Sequence, residues 1–350
     1  TAWLIWRYLK ERVGYNYAAL GTIFFLTIPI IVKLSITAYV DLGLVFFSTA
    51  SLMYLFKWAE HPLRKKYLLI SAVSCGLMLG TKYNGLIAFF LMTLFVPTLY
   101  LRMATDRSGM QSLCYAVLFG VIALFVFSPW MARNYLWTAN PIYPLYDQVF
   151  NPSSSHLAVG PSHFTIRNIN YGEAWWQIAL IPFRIFFQGE DGNPKYFDGR
   201  LNPLLFMLPI FAFIRRESAH AFELEKKIMV SFSVLFILFA FFQRDMRIRY
   251  VAPVIPPLVI LSVIGFYHLF ERLRGISSPK ILRISCGCFL AGAVFLFSGN
   301  LLYIKDQFRY VQPIGYLLGG VEREDYIGRY RHEYPAIQFA NKNLPESARI

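Results

Sequence analysis

The sequence of 350 residues is 56% hydrophobic and 18% aromatic, has a mean hydropathy of +0.45 and carries a formal net charge of +14. Soluble globular domains of this length are less apolar, so the composition excludes that class and predicts a polytopic membrane protein. The positive charge lies mostly between apolar runs, so membrane topology explains it better than a nucleic-acid partner does.

The apolar runs predict a succession of helices close to the spanning length of about 20 residues. After a partial helix at 1–9, the predicted spans lie near 15–33, 42–58, 67–82, 84–101, 113–130, 201–214, 228–243, 251–269 and 281–303. A long segment rich in polar and aromatic residues separates the fifth span from the sixth, at 131–200, and a polar tail begins at 304. Because the sequence opens inside an apolar helix without an initiator Met, we expect an internal piece of a longer protein.

Lys and Arg in the connections predict the orientation of the bundle. The connections on one face hold 17 of these residues, and the short loops on the opposite face hold five, which are Lys33, Lys82, Arg244, Arg247 and Arg249. The richer face is predicted to be cytoplasmic. Asp41, the 131–200 segment and the tail then lie on the outer face.

Asp41 is the most notable carboxylate of the sequence, because it lies between two predicted spans, where one apolar run ends and the next begins. A carboxylate within hydrocarbon costs about 2.5–3.5 kcal/mol on insertion scales, so an ionisable residue at such a seam is a candidate functional residue. The alternative is structural, since an Asp before an apolar run can cap the first turn of a helix and interact favourably with its dipole.

Cations gather on the same predicted face. Lys82 closes the hairpin Gly80-Thr-Lys-Tyr-Asn-Gly85, Arg133 follows Ser128-Pro-Trp-Met-Ala, and Arg247 and Arg249 belong to one short motif. Because Arg binds phosphate through two parallel hydrogen bonds, this pattern favours an anionic headgroup as ligand. The alternative is that these side chains only extend to the membrane interface, where their charged ends stay in water.

Weaker signals come from the aromatic, histidine and cysteine residues. Tyr and Trp of the 131–200 segment are typical of the headgroup level, and residues 173–187 predict an interfacial helix. His156 and His163 are interpreted as ordinary surface residues. The four cysteines are predicted to be buried thiols and are Cys75, Cys114, Cys286 and Cys288. Their spacing matches no metal motif, so no metal ligands are predicted, although a divalent metal remains possible.

Four stretches together resemble one enzyme class. They are AAL…IPIIVKLSITAYVDLGLVFF, GLMLGTKYNGL, SPWMARNYLWTANPIYP and RIRYVAPVIPPL. In this order they resemble the polyprenyl-phosphate-sugar-dependent glycosyltransferases of the GT-C class, which include relatives of protein O-mannosyltransferase and lipid A aminoarabinose transferase. The tail EDYIGRYRHEYPAIQFANKNLPESARI resembles the junction to the soluble outer domain of bacterial members. The domains predicted are thus a transmembrane bundle over 1–303 and the start of a soluble domain over 304–350.

The resemblance implies an all-α GT-C-type bundle with outer-face loops and interfacial helices. It also implies that a sugar passes by inverting displacement from a polyprenyl-phosphate carrier to a lipid, glycan or protein acceptor, on the periplasmic face of a bacterial inner membrane. Asp41 matches the second outer carboxylate of the family, and the principal one is expected upstream. The matching motifs supply the residues expected to hold the carrier phosphate: Lys82, Tyr83, Arg133, Asn134, Arg247, Arg249 and Tyr250.

The sequence also leaves other catalytic carboxylates and other protein functions possible. The outer carboxylates ranked below Asp41, because none lies in a matching motif, are Asp147, Glu173, Glu190, Asp191, Asp198 and Asp245. A flippase for lipid-linked sugars would use the same outer cations, but inverted repeats typical of transporters are not evident. The third alternative is a non-catalytic membrane protein of envelope assembly.

Overall fold

The computed structural model describes residues 1–61, 64–103, 108–152, 162–214, 220–241, 246–274, 279–345 and 348. These residues form helices and connecting segments, and no strand occurs among them. The chain divides into two compact units, Thr1–Asn300 and Leu301–Ile350.

The first unit begins with seven helices in the described part of its first 138 residues. They are α1 (Ala2–Val13), α2 (Tyr15–Thr27), α3 (Pro29–Ser35), α4 (Asp41–Glu60), α5 (Lys65–Thr81), α6 (Gly85–Met103) and α7 (Gly109–Thr138). Helices α2 and α3 meet at 64°, because Pro29 has no N–H to continue α2 and starts a new helix instead. The break leaves the Ile30 N–H free to donate to Arg200 O at 3.1 Å, which ties α3 to a distant loop.

Short helices fill the described part of the 131–200 segment. They are α8 (Asp147–Phe150), α9 (His163–Tyr171), α10 (Trp175–Ala179) and α11 (Ile181–Arg184), followed by a 3₁₀ turn over Pro194–Tyr196. The prediction of one continuous helix over 173–187 is therefore wrong, and the interfacial location of α10 and α11 stays a prediction. Pro182 lies in the first turn of α11, where its missing N–H is tolerated but cannot extend α10.

The chain then returns to longer helices. These are α12 (Leu204–Met207) with a 3₁₀ helix over Leu208–Phe213, α13 (His220–Phe241), a 3₁₀ helix over Ile248–Val254, α14 (Ile255–Arg274) and α15 (Pro279–Val311). Three helices of the second unit follow, which are α16 (Pro313–Leu317), α17 (Arg323–Tyr330) and α18 (Tyr334–Asn343).

Five helices of the described chain are long and apolar enough to cross a membrane, and the bent pair α2–α3 makes six if counted as one span. They are α4, α6, α7, Ile248–Arg274 and Arg283–Val311. The prediction of an all-α polytopic membrane protein is confirmed. Only 22% of the apolar window of α7 and 12% of that of α15 are buried, so most of their side chains are left to face lipid.

The predicted span at 201–214 forms a shorter helical stretch than expected. Its helical part, Leu204–Phe213, rises only about 15–20 Å, whereas the hydrocarbon layer is about 30 Å thick. Gly265 of α14 lets this short segment approach closely, since a Cβ there would lie 2.0 Å from Leu208 O. The predicted spans at 67–82 and 228–243 form helices α5 and α13. Helix α5 has 17 residues, and α13 carries four charged residues near its start.

The core of the first unit extends through most of its long helices and includes large side chains such as Trp58 of α4 and Phe119 of α7. Ser51 and Ser71 satisfy each other across α4 and α5 with hydroxyl oxygens 3.0 Å apart, which is how buried polar groups are tolerated within a helical membrane bundle. The prediction of four buried cysteines holds only for Cys75. Cys114 and Cys288 are exposed, because α7 and α15 are buried along only a small part of their surface.

Candidate functional site

The first residue of α4 and the residue that follows α5 meet at the predicted outer end of the bundle. Val40 occupies the N-cap position of α4, and Asp41 makes no side-chain capping hydrogen bond. Instead, Asp41 Oδ1 accepts a hydrogen bond from Lys82 Nζ at 2.6 Å, although only 1% of Asp41 is exposed. The carboxylate therefore forms an ion pair and no side-chain cap, while its place in the first turn of α4 still suits the helix dipole.

Two aromatic rings extend this pair into a larger group. Lys82 Nζ lies 4.7 Å from the centroid of the Tyr250 ring, and Arg249 Cζ lies 5.5 Å from the same ring. Arg249 Cζ also lies 4.4 Å from the ring of Tyr39, which the motifs did not single out although it precedes Asp41 by two residues. These five residues are called the Asp41 cluster below.

Arg249 carries an unusual nitrogen within the Asp41 cluster. Its Nε is buried, and no group among the described residues accepts a hydrogen bond from it. An unmade hydrogen bond of a buried charged group is costly and calls for an explanation. A ligand that brings acceptor oxygens to this nitrogen would supply one.

Tyr83 and Asn134 lie beside the Asp41 cluster, and their hydrogen bonds connect neighbouring helices. The Tyr83 hydroxyl donates to Tyr143 O and accepts a hydrogen bond from Asn134 Nδ2 at 2.9 Å. Asn84 Nδ2 donates to Tyr250 O at 3.3 Å. The start of α6 is thereby joined to the end of α7 and to the 3₁₀ helix that carries Tyr250.

Arg133 has different surroundings from the other predicted phosphate ligands. Its Cζ lies 5.0 Å from the ring centroid of Trp130 and 4.2 Å from that of Trp137, one turn to either side on α7. Arg133 and both Trp residues are exposed. This arrangement fits the interface alternative that the sequence left open for the outer cations.

Arg247 is also placed apart from Arg249, in a second group of charges. Arg247 Nη1 lies 3.3 Å from Asp198 Oδ2, while Lys33 Nζ lies 2.9 Å from Asp198 Oδ1 and 3.0 Å from Asp191 Oδ1. Burial alone would raise the pKa of Asp198, but hydrogen bonds from Lys33 and from the Gly192 N–H, with the charge of Arg247, hold that pKa below its usual range. These groups form the Asp198 cluster, whose acidic members the sequence ranked below Asp41.

A third group of charges lies inside the 131–200 segment. Glu173, only 3% exposed, accepts hydrogen bonds from Arg167 Nε at 2.5 Å and from Arg184 Nη2 at 2.8 Å. Arg167 also donates to Lys195 O, and Arg184 to Gln177 O, each at 2.7 Å. Burial works to raise the pKa of Glu173, but its two Arg partners outweigh this and lower the pKa. Glu173, Arg167 and Arg184 are called the Glu173 cluster.

The remaining predicted candidates have structural surroundings or lie outside the described residues. His163 is 9% exposed and packs its ring 5.3 Å from that of Phe241, so its interpretation as a surface residue is wrong. Asp147 accepts hydrogen bonds from Asn140 and Asn151 in a local turn. The residues that lie outside the described chain are Arg244, Asp245 and His156.

The described part of the chain shows no metal site, and a cavity within it is apolar. No group of three His, Cys, Asp or Glu side chains there could hold a metal ion. A cavity of about 240 Å³ lies between α2, α12 with the following 3₁₀ helix, α14 and α15, and its lining is apolar. None of the predicted site residues lines this cavity.

Comparison with known proteins agrees with the resemblance read from the motifs. Residues 1–132 match the model of the dolichyl-phosphate-mannose-protein mannosyltransferase family. The crystal structure of ArnT from Cupriavidus metallidurans in the apo state is similar over 83% of this chain, with 20% identity and a TM-score of 0.48. The similarity covers 45% of ArnT, less than half of that chain. No curated protein sequence matches.

Proposed function

We propose that this chain is part of a membrane glycosyltransferase that moves a sugar from a polyprenyl-phosphate carrier to an acceptor on the outer face, with inversion at the anomeric carbon. The family match over 1–132 supports this class of reaction, because that family is described by a lipid-phosphate sugar donor. The observation that carries the proposal is the Asp41 cluster. It assembles two cations around one tyrosine ring beside a buried carboxylate.

The chemistry requires positive charge where the carrier phosphate departs. The acceptor oxygen attacks the anomeric carbon, the bond from that carbon to the phosphate oxygen breaks, and the acceptor proton passes to a base. Negative charge grows on the departing phosphate, so fixed cations stabilise the transition state. Arg249 can present a planar fork to phosphate oxygens, and Lys82 has three N–H donors, of which Asp41 accepts one.

Asp41 acts in this scheme chiefly by setting the position of Lys82. Oδ1 of Asp41 already accepts the hydrogen bond of Lys82, and only 1% of the residue is exposed, so an acceptor has little access to this carboxylate. The ion pair therefore favours the cation-positioning role of Asp41 over removal of the acceptor proton. Tyr83 and Asn134 support the site by fixing the start of α6, and Arg247 contributes through the Asp198 cluster.

The test compares Asp41→Asn with wild type in the full-length protein, purified in detergent and supplied with a polyprenyl-phosphate sugar. Asn cannot hold the ammonium group of Lys82 by charge, so transfer should fall by about 10²-fold. Melting temperatures are compared to separate this loss from unfolding. Glu190→Gln is the matched control, because Glu190 is exposed and lies outside the cluster.

Two results would contradict the proposal. Wild-type transfer by Asp41→Asn would return this residue to a structural role. Movement of the intact lipid-linked sugar across liposomes, without release of polyprenyl phosphate, would instead indicate a flippase.

The outer location of the site is part of the proposal and rests on the charge count of 17 against five. Val149 is 73% exposed in the 131–200 segment, and Lys66 is exposed at the start of α5. An impermeant thiol reagent applied to intact cells should label Val149→Cys and spare Lys66→Cys. Labelling in the reverse pattern would place the Asp41 cluster on the cytoplasmic face.

A further inference from the structure

The loop before residue 200 is held in an uncommon backbone conformation. Phe197 and Asp198, neither of them glycine, both have positive φ angles of 66° and 40°. Such residues persist only where surrounding contacts hold them, and they concentrate at functional sites. The Phe197 ring is fully buried, and the guanidinium carbons of Arg167 and Arg184 lie 5.2 and 5.5 Å from its centroid. The Glu173 cluster thus holds this loop from one side.

The other side of the loop is attached to α3 and to the start of the 3₁₀ helix Ile248–Val254. Ile248 N donates to Phe197 O at 2.8 Å, and Ile30 N donates to Arg200 O. Gly199 makes the close approach possible, since a Cβ on it would lie 3.0 Å from Ile30 Cδ1 and 3.2 Å from Ile248 Cβ. The loop is therefore in direct contact with the backbone that leads into Arg249.

Asp198 adds charge to this attachment. Its two oxygens pair with cations from different elements, Lys33 of α3 and Arg247 just before the 3₁₀ helix. The backbone at Arg247 is extended, and the 3₁₀ helix begins at the next residue. Arg247 is thereby directed to Asp198, whereas Arg249, two residues later, joins Tyr39, Tyr250 and the Asp41 cluster.

We infer that Asp198 is a positioning residue that acts through Arg247 and the Ile248 backbone to place Arg249 and Tyr250 beside Lys82. It also pairs with Arg247 and Lys33, whereas no carboxylate of the described residues pairs with Arg249. The part of this inference that concerns carrier phosphate rests on the proposed function. The positional part does not, because it concerns only how the 3₁₀ helix is held.

The positional part is tested by hydrogen–deuterium exchange of the full-length protein in detergent. Asp198→Asn should speed exchange in peptides covering 246–252 by about tenfold, because the hydrogen bond of Ile248 N–H to Phe197 O loses its anchor. Glu190→Gln removes a charge from the same loop without touching Lys33 or Arg247 and should leave exchange unchanged. If Asp198→Asn fails to fold, Arg247→Gln breaks the same bridge from the other side. Unchanged exchange in the folded variant would overturn the inference.

The functional part is tested by kinetics with a polyprenyl-phosphate sugar. Asp198→Asn should raise the donor KM about tenfold, with a smaller change in kcat, and should add little to Arg249→Lys because both act on one contact. Additive effects of the two changes would overturn the action through Arg249. Faster exchange at 246–252 in a protein whose wild type transfers no sugar would leave the positioning role standing and reject the proposed function alone.

Discussion

The Glu173 and Asp41 clusters both combine a buried carboxylate with cationic side chains, but they differ in how completely the hydrogen-bond donors are satisfied. In the Glu173 cluster, each carboxylate oxygen accepts from one arginine, and each arginine also donates to a backbone carbonyl. In the Asp41 cluster, one carboxylate holds one lysine, and the nearby Arg249 has a buried Nε that finds no acceptor among the described residues. The first is closed by the chain itself, and the second leaves donors for a ligand.

Under the proposed function, this difference separates structural charges from functional ones at the same predicted face. A buried carboxylate is weak evidence of function when its partners satisfy it, since breaking such a pair mainly destabilises the fold. Buried donors without acceptors cost free energy in the empty protein, and a ligand that supplies the acceptors recovers it. Glu173 and Asp41 should accordingly respond to substitution in opposite ways.

Glu173→Gln should produce the largest effect, and the effect should be on stability. Removal of one partner leaves Arg167 buried without its counter-charge, which costs about 3–5 kcal/mol in comparable pairs. Chemical denaturation in detergent measures this loss, and transfer per folded molecule should fall far less than in Lys82→Met, because the Glu173 cluster contacts the loop only from one side. Glu190→Gln, exposed in the same segment, is the control. A stable Glu173→Gln with impaired transfer would reverse the contrast between the clusters.

Lys82→Met should act mainly on transfer. The loss of one donor to the charge that develops on the departing phosphate lowers kcat by about 10²–10³-fold in comparable sites. Lys195→Met, which removes another lysine from the predicted outer face, should transfer sugar normally. Comparable losses in the two variants would show that general electrostatics, and not the Asp41 cluster, governs the reaction.

The two neighbouring arginines should differ. Arg249→Lys loses the planar fork and should raise the donor KM by about tenfold. Arg247→Lys keeps a charge for Asp198 and should change KM by about twofold at most. Steady-state kinetics on both variants checks the contrast. Equal effects would argue that both arginines contact the carrier directly.

Acid should remove the contribution of Glu173 and Asp198 to stability. The pKa values of Glu173 and Asp198 lie below their usual range, so their contribution to stability is present above the unfolded pKa of about 4 and is lost as pH falls through the lower folded values. Melting temperature measured from pH 7 down to pH 3 should fall most steeply at the acidic end. A Glu173→Gln protein should show a shallower fall, and an identical profile would contradict this account.

Arg133→Ala should have the smallest effect. Its contacts with Trp130 and Trp137 are exposed, and such cation–π contacts contribute about 0.5–1 kcal/mol. Transfer should remain within about twofold of wild type in the same kinetic assay. A tenfold rise in the donor KM would restore Arg133 to the set of phosphate ligands.

Hydropathy and charge along the chain were enough to determine the membrane class, most helix positions and the gathering of Asp41, Lys82 and Arg249 at one end of the bundle. These properties are local, because a run of apolar residues must form a helix in hydrocarbon wherever it lies in the chain. The two predicted helices that the structure changes, at 173–187 and 201–214, differ for local reasons as well. Pro182 interrupts the first, and the helical part of the second is only ten residues long.

Only the tertiary structure decided which charged side chains find an ion-pair or hydrogen-bond partner. Arg247 and Arg249 are equivalent in the sequence motif, yet Arg247 pairs with Asp198, whereas Arg249 lies against the rings of Tyr39 and Tyr250 with a buried Nε that has no acceptor among the described residues. The outcome depends on a loop around residue 198 that folds back onto α3, more than 150 residues away along the chain. A carboxylate pairs with whatever cation the fold brings within about 4 Å, and no pattern along the chain encodes that distance.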